Sequence, residues 1–311
     1  MSGRRSLLAV GVALCLLAAG CTPSSEAPPR PQLLDIAYAS DTNPAHRLDL
    51  YLPAGRGPYP LVVFIHGGAW AFGDKAMRLG SRGGYGDLRR TLYAQGYAVA
   101  SVRYRFVKEA RFPAQLYDVK AAVRYLRANA RRLNLDARRF VAMGDSAGGQ
   151  LAEMVGMTSN RPELEGDVGV TGVPSDVRAV VSYFGVSDLV RIFDDRVKEG
   201  CGPRPRRPER TREGQLVGGD PEGDAKPLAT LGSPITYVDS APDVPILLFH
   251  GTRDCVVPDT QSLRLYDALR AVEKPVEIQL VTAGHADRLF YTDRTLRARL
   301  VDFLSCQDAI S

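Results

Sequence analysis

Residues 144–148 have the sequence GDSAG, which stands between an apolar run at 140–143 and a helix-compatible segment at 150–154. This order predicts a strand, a sharp turn and a helix, with Ser146 on the turn. A serine on such a strained turn is lifted out of the sheet, and small flanking residues let the strand and the helix pass closely around it. The pattern is typical of a nucleophile elbow, although the same short string also occurs by chance.

A second turn with paired glycines lies upstream. The apolar run at 61–65 has the length of a buried parallel strand, and it ends in the sequence HGGAW at 66–70. Acyl transfer turns a carbonyl oxygen into an oxyanion, and preorganised N–H groups are needed where that charge develops. The candidate donors are Gly68, Ala69 and Ala147. The alternative for residues 66–70 is a plain glycine turn after a strand.

These motifs resemble those of α/β-hydrolases, in particular bacterial esterases and lipases related to hormone-sensitive lipase, in the branch that has a His-Gly-Gly-x-Trp motif. That branch includes feruloyl-esterase-like and arylformamidase-like proteins. The resemblance runs from Leu48 to Leu304 and includes the sequence HGTRD at 250–254. Ala69 replaces a glycine that is common in these relatives. The resemblance implies that small acyl or aryl esters are the substrates.

The triad of this fold occurs in the chain order serine, acid, histidine, so the partners of Ser146 must follow it. Two histidines do so. His285 comes after the strand predicted at 276–281, behind a glycine that allows an abrupt turn, and we expect it to be the general base. His250 ends an apolar strand, and a structural role is expected for it.

Asp254 is the predicted acid, because it lies on the loop after the apolar strand at 245–249 and would hold the imidazole of His285 in the right tautomer. Asp259 is predicted to cap the helix that follows this loop. Asp145 and Asp118 are expected to be structural anchors. The rivals of Asp254 as the acid are Asp188, Asp243 and Asp259.

Apolar runs alternate with helical segments, which predicts an α/β-hydrolase fold with a mostly parallel central sheet and helices on both faces. Antiparallel strands are expected at the front, at 33–38 and 48–52. The predicted catalytic domain covers 33–306, followed by a tail at 307–311. Residues 186–232 contain several prolines and no clear periodicity, and they are expected to form an insertion or lid over the site.

The net charge of +5 comes mainly from arginine, and the densest arginine run is at 204–212. Nucleic-acid binding would call for interleaved aromatics or a recognition helix, and the run has neither. A solvated loop is predicted there, with contact to anionic lipid head groups as the alternative. The four histidines are scattered, and there is no Cys-x-x-Cys or phosphate-binding loop, so neither a metal nor a cofactor is expected.

Residues 1–20 are predicted to be an export signal, with a basic start and an apolar stretch too short to span a bilayer. Small residues precede Cys21, and a polar, proline-rich tether occupies 21–32. This order resembles a bacterial lipoprotein signal, in which a lipidated Cys21 anchors the protein to a membrane of the cell envelope, outside the cytoplasm. Ordinary secretory cleavage is the alternative, and the sequence leaves open whether export uses the general or the twin-arginine route.

Export permits disulfides, and at most one intramolecular pair can form among the cysteines after Cys21. A bond between Cys201 and Cys255 would tie the segment 186–232 to the acid loop, leaving Cys306 free. The sequence thus predicts a serine esterase that works through an acyl-enzyme. A peptidase or amidase with the same triad is the alternative, and a surface lipoprotein without catalysis is a third possibility.

Overall fold

The computed structural model describes residues 33–77 and 84–309. The predicted export signal, the tether and Cys21 lie outside the described residues. Within the described ranges, none of the helices combines the length and the apolar character that crossing a bilayer requires.

The described residues form eight strands and ten α-helices. The strands are β1 (Leu33–Ala37), β2 (Arg47–Tyr51), β3 (Tyr59–Ile65), β4 (Ala98–Val102), β5 (Leu135–Asp145), β6 (Ala179–Tyr183), β7 (Ile246–Gly251) and β8 (Val276–Val281). The helices are α1 (Tyr85–Ala94), α2 (Ala114–Ala128), α3 (Ala130–Leu133), α4 (Ala147–Met157), α5 (Ile192–Lys198), α6 (Arg212–Val217), α7 (Lys226–Leu231), α8 (Thr260–Ala271), α9 (Leu289–Thr292) and α10 (Arg294–Ala309). Because α10 continues to Ala309, the predicted tail at 307–311 begins inside this helix.

All eight strands belong to one sheet, in the order β1-β2-β4-β3-β5-β6-β7-β8. β2 runs antiparallel to its neighbours β1 and β4, and every other neighbouring pair is parallel. The predicted parallel sheet and the two antiparallel front strands are therefore confirmed. Since the carboxyl ends of parallel strands meet at one edge, the loops after β3, β5, β6, β7 and β8 all emerge there.

Helices cover both faces of the sheet. Side chains alternate along β3, so that Leu61 and Val63 face one layer while Val62 and Phe64 face the other. Apolar residues of α2, α4 and α8 pack on the first face, and those of α1, α9 and α10 pack on the second. Apolar residues repeat along one face of α2, and all of them are fully buried; they are Leu116, Val119, Val123 and Leu126.

The segment 186–232 connects β6 to β7 and contains α5, α6 and α7. Each of these helices spans less than two full turns, which is too short for an apolar period to show in the sequence. The N–H of Phe112 donates a hydrogen bond to the carbonyl of Leu216 at 3.0 Å, and Nε2 of Gln150 donates one to the carbonyl of Gly232 at 2.7 Å. The insertion therefore packs against the start of α2 and against α4, at the edge where the strand-end loops emerge.

Candidate active site

Ser146 stands on the turn between β5 and α4, with φ 52° and ψ −118°, a region that side chains other than glycine rarely adopt. Its N–H donates to the carbonyl of Tyr183 at 2.8 Å, which holds the strained turn against β6. A Cβ on Gly148 would come within 2.0 Å of the Ile65 oxygen, and one on Gly144 within 2.2 Å of the Gly148 oxygen. Only glycine fits at these two positions, as expected of a nucleophile elbow.

The structure brings Ser146, His285 and Asp254 together. His285 Nε2 lies 3.0 Å from Ser146 Oγ, and His285 Nδ1 lies 2.6 Å from Asp254 Oδ2. An ionised carboxylate can only accept, so Nδ1 carries the proton, and Nε2 is left to accept the serine hydroxyl. The backbone N–H groups of Val256 and Val257 donate to Asp254 Oδ1 at 2.8 and 2.9 Å and fix the orientation of the carboxylate.

Asp254 is buried, with an exposed fraction of 3%. Burial by itself would raise its pKa. The nearby imidazole of His250, the hydrogen bond and charge of His285 and the N–H of Val257 together outweigh burial and hold the pKa of Asp254 well below its usual range. The carboxylate therefore stays ionised throughout the neutral pH range.

His250 is fully buried beside this loop. Its Nε2 donates to the carbonyl of Val257 at 2.8 Å, and its Nδ1 accepts the hydroxyl of Ser262 at 2.6 Å. Nε2 also lies 3.6 Å from Asp254 Oδ2. These contacts connect the acid loop to α8, which is the structural role predicted for His250.

Two of the three rival carboxylates, Asp188 and Asp243, bond to other residues. Asp188 accepts the backbone N–H of Arg191 in its own loop, and Asp243 pairs at the surface with Lys274 at 3.0 Å. Asp259 stands at the cap position of α8, but its side chain makes no capping hydrogen bond, so the predicted cap is wrong. Its backbone is already helical, which carries the side chain away from the N–H groups that a capping oxygen bonds.

The loop after β3 is anchored to the turn that holds Ser146. The N–H of Gly67 donates to Asp145 Oδ1 at 2.7 Å, and the hydroxyl of Tyr85 donates to Asp145 Oδ2 at 2.7 Å. Burial raises the pKa of Asp145, and these two hydrogen bonds oppose the rise. Asp145 is thus a structural anchor, as expected. Asp118 is a structural anchor too, since its carboxylate accepts hydrogen bonds from Nε and Nη2 of Arg105.

The predicted oxyanion donors lie on either side of this anchor. Gly68 has φ 116° and Ala69 has φ 50°, so the backbone turns sharply just after the residue bonded to Asp145. Ala147 begins α4, directly after Ser146. Because β3 and β5 are paired up to Ile65 and Gly144, the two backbone stretches that follow run side by side.

Two aromatic side chains complete the surroundings. Trp70 is buried, and its Nε1 donates to Oε1 of Gln150 at 3.0 Å, so it packs against α4, the helix that follows Ser146. The ring of Phe184 lies edge-on to the ring of His285, with 4.8 Å between their centroids. Phe184 was not among the predicted site residues, because its only signal in the sequence is its position at the end of an apolar strand.

The insertion at 186–232 is bonded to the loop that follows β7 and carries Asp254. A disulfide joins Cys201 to Cys255, as predicted, and Cys306 is a free, exposed thiol. Nε and Nη2 of Arg196 on α5 donate to the carbonyl of Val256 at 2.8 and 2.6 Å. In the part of the chain that the structure describes, no group of three or more His, Cys, Asp or Glu side chains is placed to hold a metal ion.

Comparison with known proteins shows related sequences. The model of the BD-FAE family matches residues 48–269. Esterase LipC of Mycobacterium tuberculosis is 33% identical over 269 residues, which cover 84% of this chain and 61% of LipC. Isoprenylcysteine alpha-carbonyl methylesterase ICME of Arabidopsis thaliana is 29% identical over 256 residues, 80% of this chain and 56% of ICME. The chain therefore spans about three fifths of the length of these curated relatives.

Solved structures show a related fold. A truncated form of a carbohydrate esterase from gut microbiota superposes with a TM-score of 0.78 and 30% sequence identity, covering 92% of this chain and 99% of that one. The likeness confirms the α/β-hydrolase fold predicted from the sequence.

Proposed function

The chain belongs to the BD-FAE family, and from this membership we propose that it is a serine hydrolase that cleaves carboxylic esters through an acyl-enzyme. The observation that carries the proposal is the hydrogen-bonded series Ser146, His285 and Asp254. The names of LipC and of the methylesterase ICME support ester hydrolysis as the reaction class.

In the first half of the reaction, Ser146 Oγ attacks the ester carbonyl carbon while His285 Nε2 takes the hydroxyl proton. The carbonyl oxygen becomes an oxyanion, and the N–H groups of Gly68, Ala69 and Ala147 stabilise it. Collapse of this intermediate breaks the bond to the alcohol oxygen. His285 returns the proton to that oxygen, the alcohol departs, and the acyl group remains on Ser146.

In the second half, His285 takes a proton from water, whose oxygen attacks the acyl carbon. The second tetrahedral intermediate releases the acid, and the proton returns to Ser146 Oγ. Asp254 keeps the imidazole in the productive tautomer and stabilises the imidazolium in both halves. The lowered pKa of Asp254 supports this role, because the carboxylate remains charged whenever His285 gains its proton.

Small acyl or aryl esters are the proposed substrates. The carbohydrate esterase among the structural neighbours supports substrates in which an acyl group is bound to an alcohol oxygen, with the alcohol as the leaving group. A panel of acetyl, butyryl, octanoyl and feruloyl esters would rank the acyl groups, and a matched aryl amide would separate ester from amide cleavage.

A fluorophosphonate probe tests the nucleophile. We expect the probe to label the wild type at Ser146 and to leave Ser146→Ala unlabelled, with ester turnover reduced more than about a thousandfold. Labelling of another residue, or turnover in the variant above that level, would contradict the assignment.

We also propose that the protein is exported and anchored to a membrane through a lipidated Cys21. The basic start, the apolar stretch and the small residues before Cys21 support this proposal, and two or more acyl chains would give stable anchoring. Mass spectrometry of the mature N-terminus tests it: an unmodified N-terminus, or cleavage before a residue other than Cys21, would refute the anchor.

A further inference from the structure

Glu153 lies on α4, about two helical turns after Ser146, and its carboxyl group is enclosed between α4 and β6. A Cβ on Gly185 would come within 2.7 Å of Glu153 Oε1 and within 2.5 Å of Ser182 Oγ. The carboxyl group and the hydroxyl therefore lie against the bare backbone of Gly185. Among the described residues, neither carboxyl oxygen nor the Ser182 hydroxyl has a hydrogen-bond partner of normal geometry.

An unpaired charge in such a position is costly, so the neutral acid is favoured. Burial raises the pKa of Glu153 to about 8, and the Ser182 hydroxyl offsets only part of the rise. Titratable groups on the elements packed against α4 do not contribute to this shift. Among them are Asp145 on β5, Tyr183 on β6, Asp188 in the following loop, Lys120 on α2 and Tyr237 in the short 3-10 helix Pro234–Tyr237.

The backbone next to Glu153 contacts two members of the proposed triad. The carbonyl of Tyr183 holds the N–H of Ser146 at 2.8 Å. Phe184, whose backbone is strained at φ 42°, packs its ring against His285. A carboxylate at residue 153 would need water or a further donor besides the Ser182 hydroxyl, and admitting either one requires α4 or the segment 182–185 to move. Such a movement displaces the serine turn and the aromatic ring that supports the imidazole.

We propose that Glu153 is a positioning residue, held as a neutral acid beneath the nucleophile turn, and that its ionisation sets the alkaline limit of activity. The inference rests on the proposed ester hydrolysis, and it adds a pH-dependent element that lies outside the triad. Glu153 touches neither substrate nor reacting atoms, and it acts through the backbone of Ser146 and the ring of Phe184.

The kinetic test compares the wild type with Glu153→Gln, which keeps the shape of the side chain but cannot ionise. With an aryl ester, kcat of the wild type should fall about tenfold per pH unit above about pH 8, and kcat of the variant should stay level there. The exposed Glu163→Gln is the matched control and should retain the wild-type profile. An alkaline fall in Glu153→Gln at the same pH as in the wild type would overturn the proposal.

A second measurement does not depend on activity. The pKa of Glu153 is raised from 4.5 to about 8 in the folded state, so the native protein keeps a proton that the unfolded chain loses. The free energy of unfolding of the wild type, relative to Glu153→Gln, should therefore fall as pH rises from about 4.5 to about 8 and level off above. If Glu153→Gln does not fold, Glu153→Leu takes its place in both comparisons.

A stability difference that is constant with pH would refute a buried neutral acid, whether or not esters are cleaved. If the stability curve behaves as expected while the wild type cleaves no ester, the proposed function fails and the neutral acid stands. If esters are cleaved and the stability curve is as expected, but the alkaline fall is unchanged in Glu153→Gln, the positioning role fails alone.

Discussion

Replacing Asp254 with asparagine keeps the shape of the side chain, removes its charge and adds an N–H donor. The direction of the amide follows from the structure. Asp254 Oδ1 accepts the N–H groups of Val256 and Val257, so the amide oxygen must occupy that side. The amide nitrogen then points at His285 Nδ1, now 2.6 Å from Oδ2, and forces the imidazole proton onto Nε2.

An imidazole protonated at Nε2 cannot accept the hydroxyl proton of Ser146. In another serine hydrolase this wrong tautomer lowers kcat by about four orders of magnitude, or about 5.5 kcal/mol of transition-state stabilisation. We expect Asp254→Asn to show a loss of this size in kcat with little change in KM, measured with an aryl ester at neutral pH.

Asp188→Asn and Asp243→Asn are the matched controls, since each removes one carboxylate that has partners elsewhere, and each should stay within about twofold of the wild type in kcat. A loss below tenfold in Asp254→Asn would show that another carboxylate orients the imidazole. A large loss in Asp188→Asn would identify that carboxylate.

Three further predictions follow from the packing around the site. His285→Ala should remove ester turnover with little effect on folding, whereas His250→Ala should lower the free energy of unfolding by about 1–3 kcal/mol, measured in urea, because two buried hydrogen bonds are lost. Replacing Cys201 and Cys255 with serine should cost about 4 kcal/mol of stability for a loop of 54 residues, and equal urea midpoints would contradict this. Gly148→Ala should give little soluble, active protein, because its Cβ would meet a β3 carbonyl at 2.0 Å.

The sheet and the hydrogen-bonded arrangement of Ser146, His285 and Asp254 could be predicted because their signals are local. Each core strand is a short apolar run, and Ser146, Asp254 and His285 each follow such a run at the same edge of the sheet. The chain order of the triad then limited the candidates to two histidines for the general base and four aspartates for the acid. The structure distinguishes these candidates, since Asp254 bonds to His285, whereas Asp188 and Asp243 bond to other residues.

Other features had no local signal. The helices α5, α6 and α7 are too short to show a period. Every residue of α4 is buried, so no apolar stripe could reveal which way Glu153 points. The contact of Phe184 with His285 joins residues far apart in the chain, and the failed cap of Asp259 depends on backbone angles that composition does not specify.

The carboxylate of Asp145 binds Gly67 on one side and Tyr85 on the other, while its own backbone leads directly into Ser146. The proposed attacking oxygen and the proposed oxyanion-binding backbone are thus both held by one buried carboxylate, and we expect thermal motion to change the distance between them less than it changes either position. A mutation in α1, on the far layer of the sheet, can consequently alter reaction rates while leaving substrate affinity unchanged. Random mutagenesis for activity should accordingly yield hits at the contacts of Tyr85 with Asp145 and with its other neighbours.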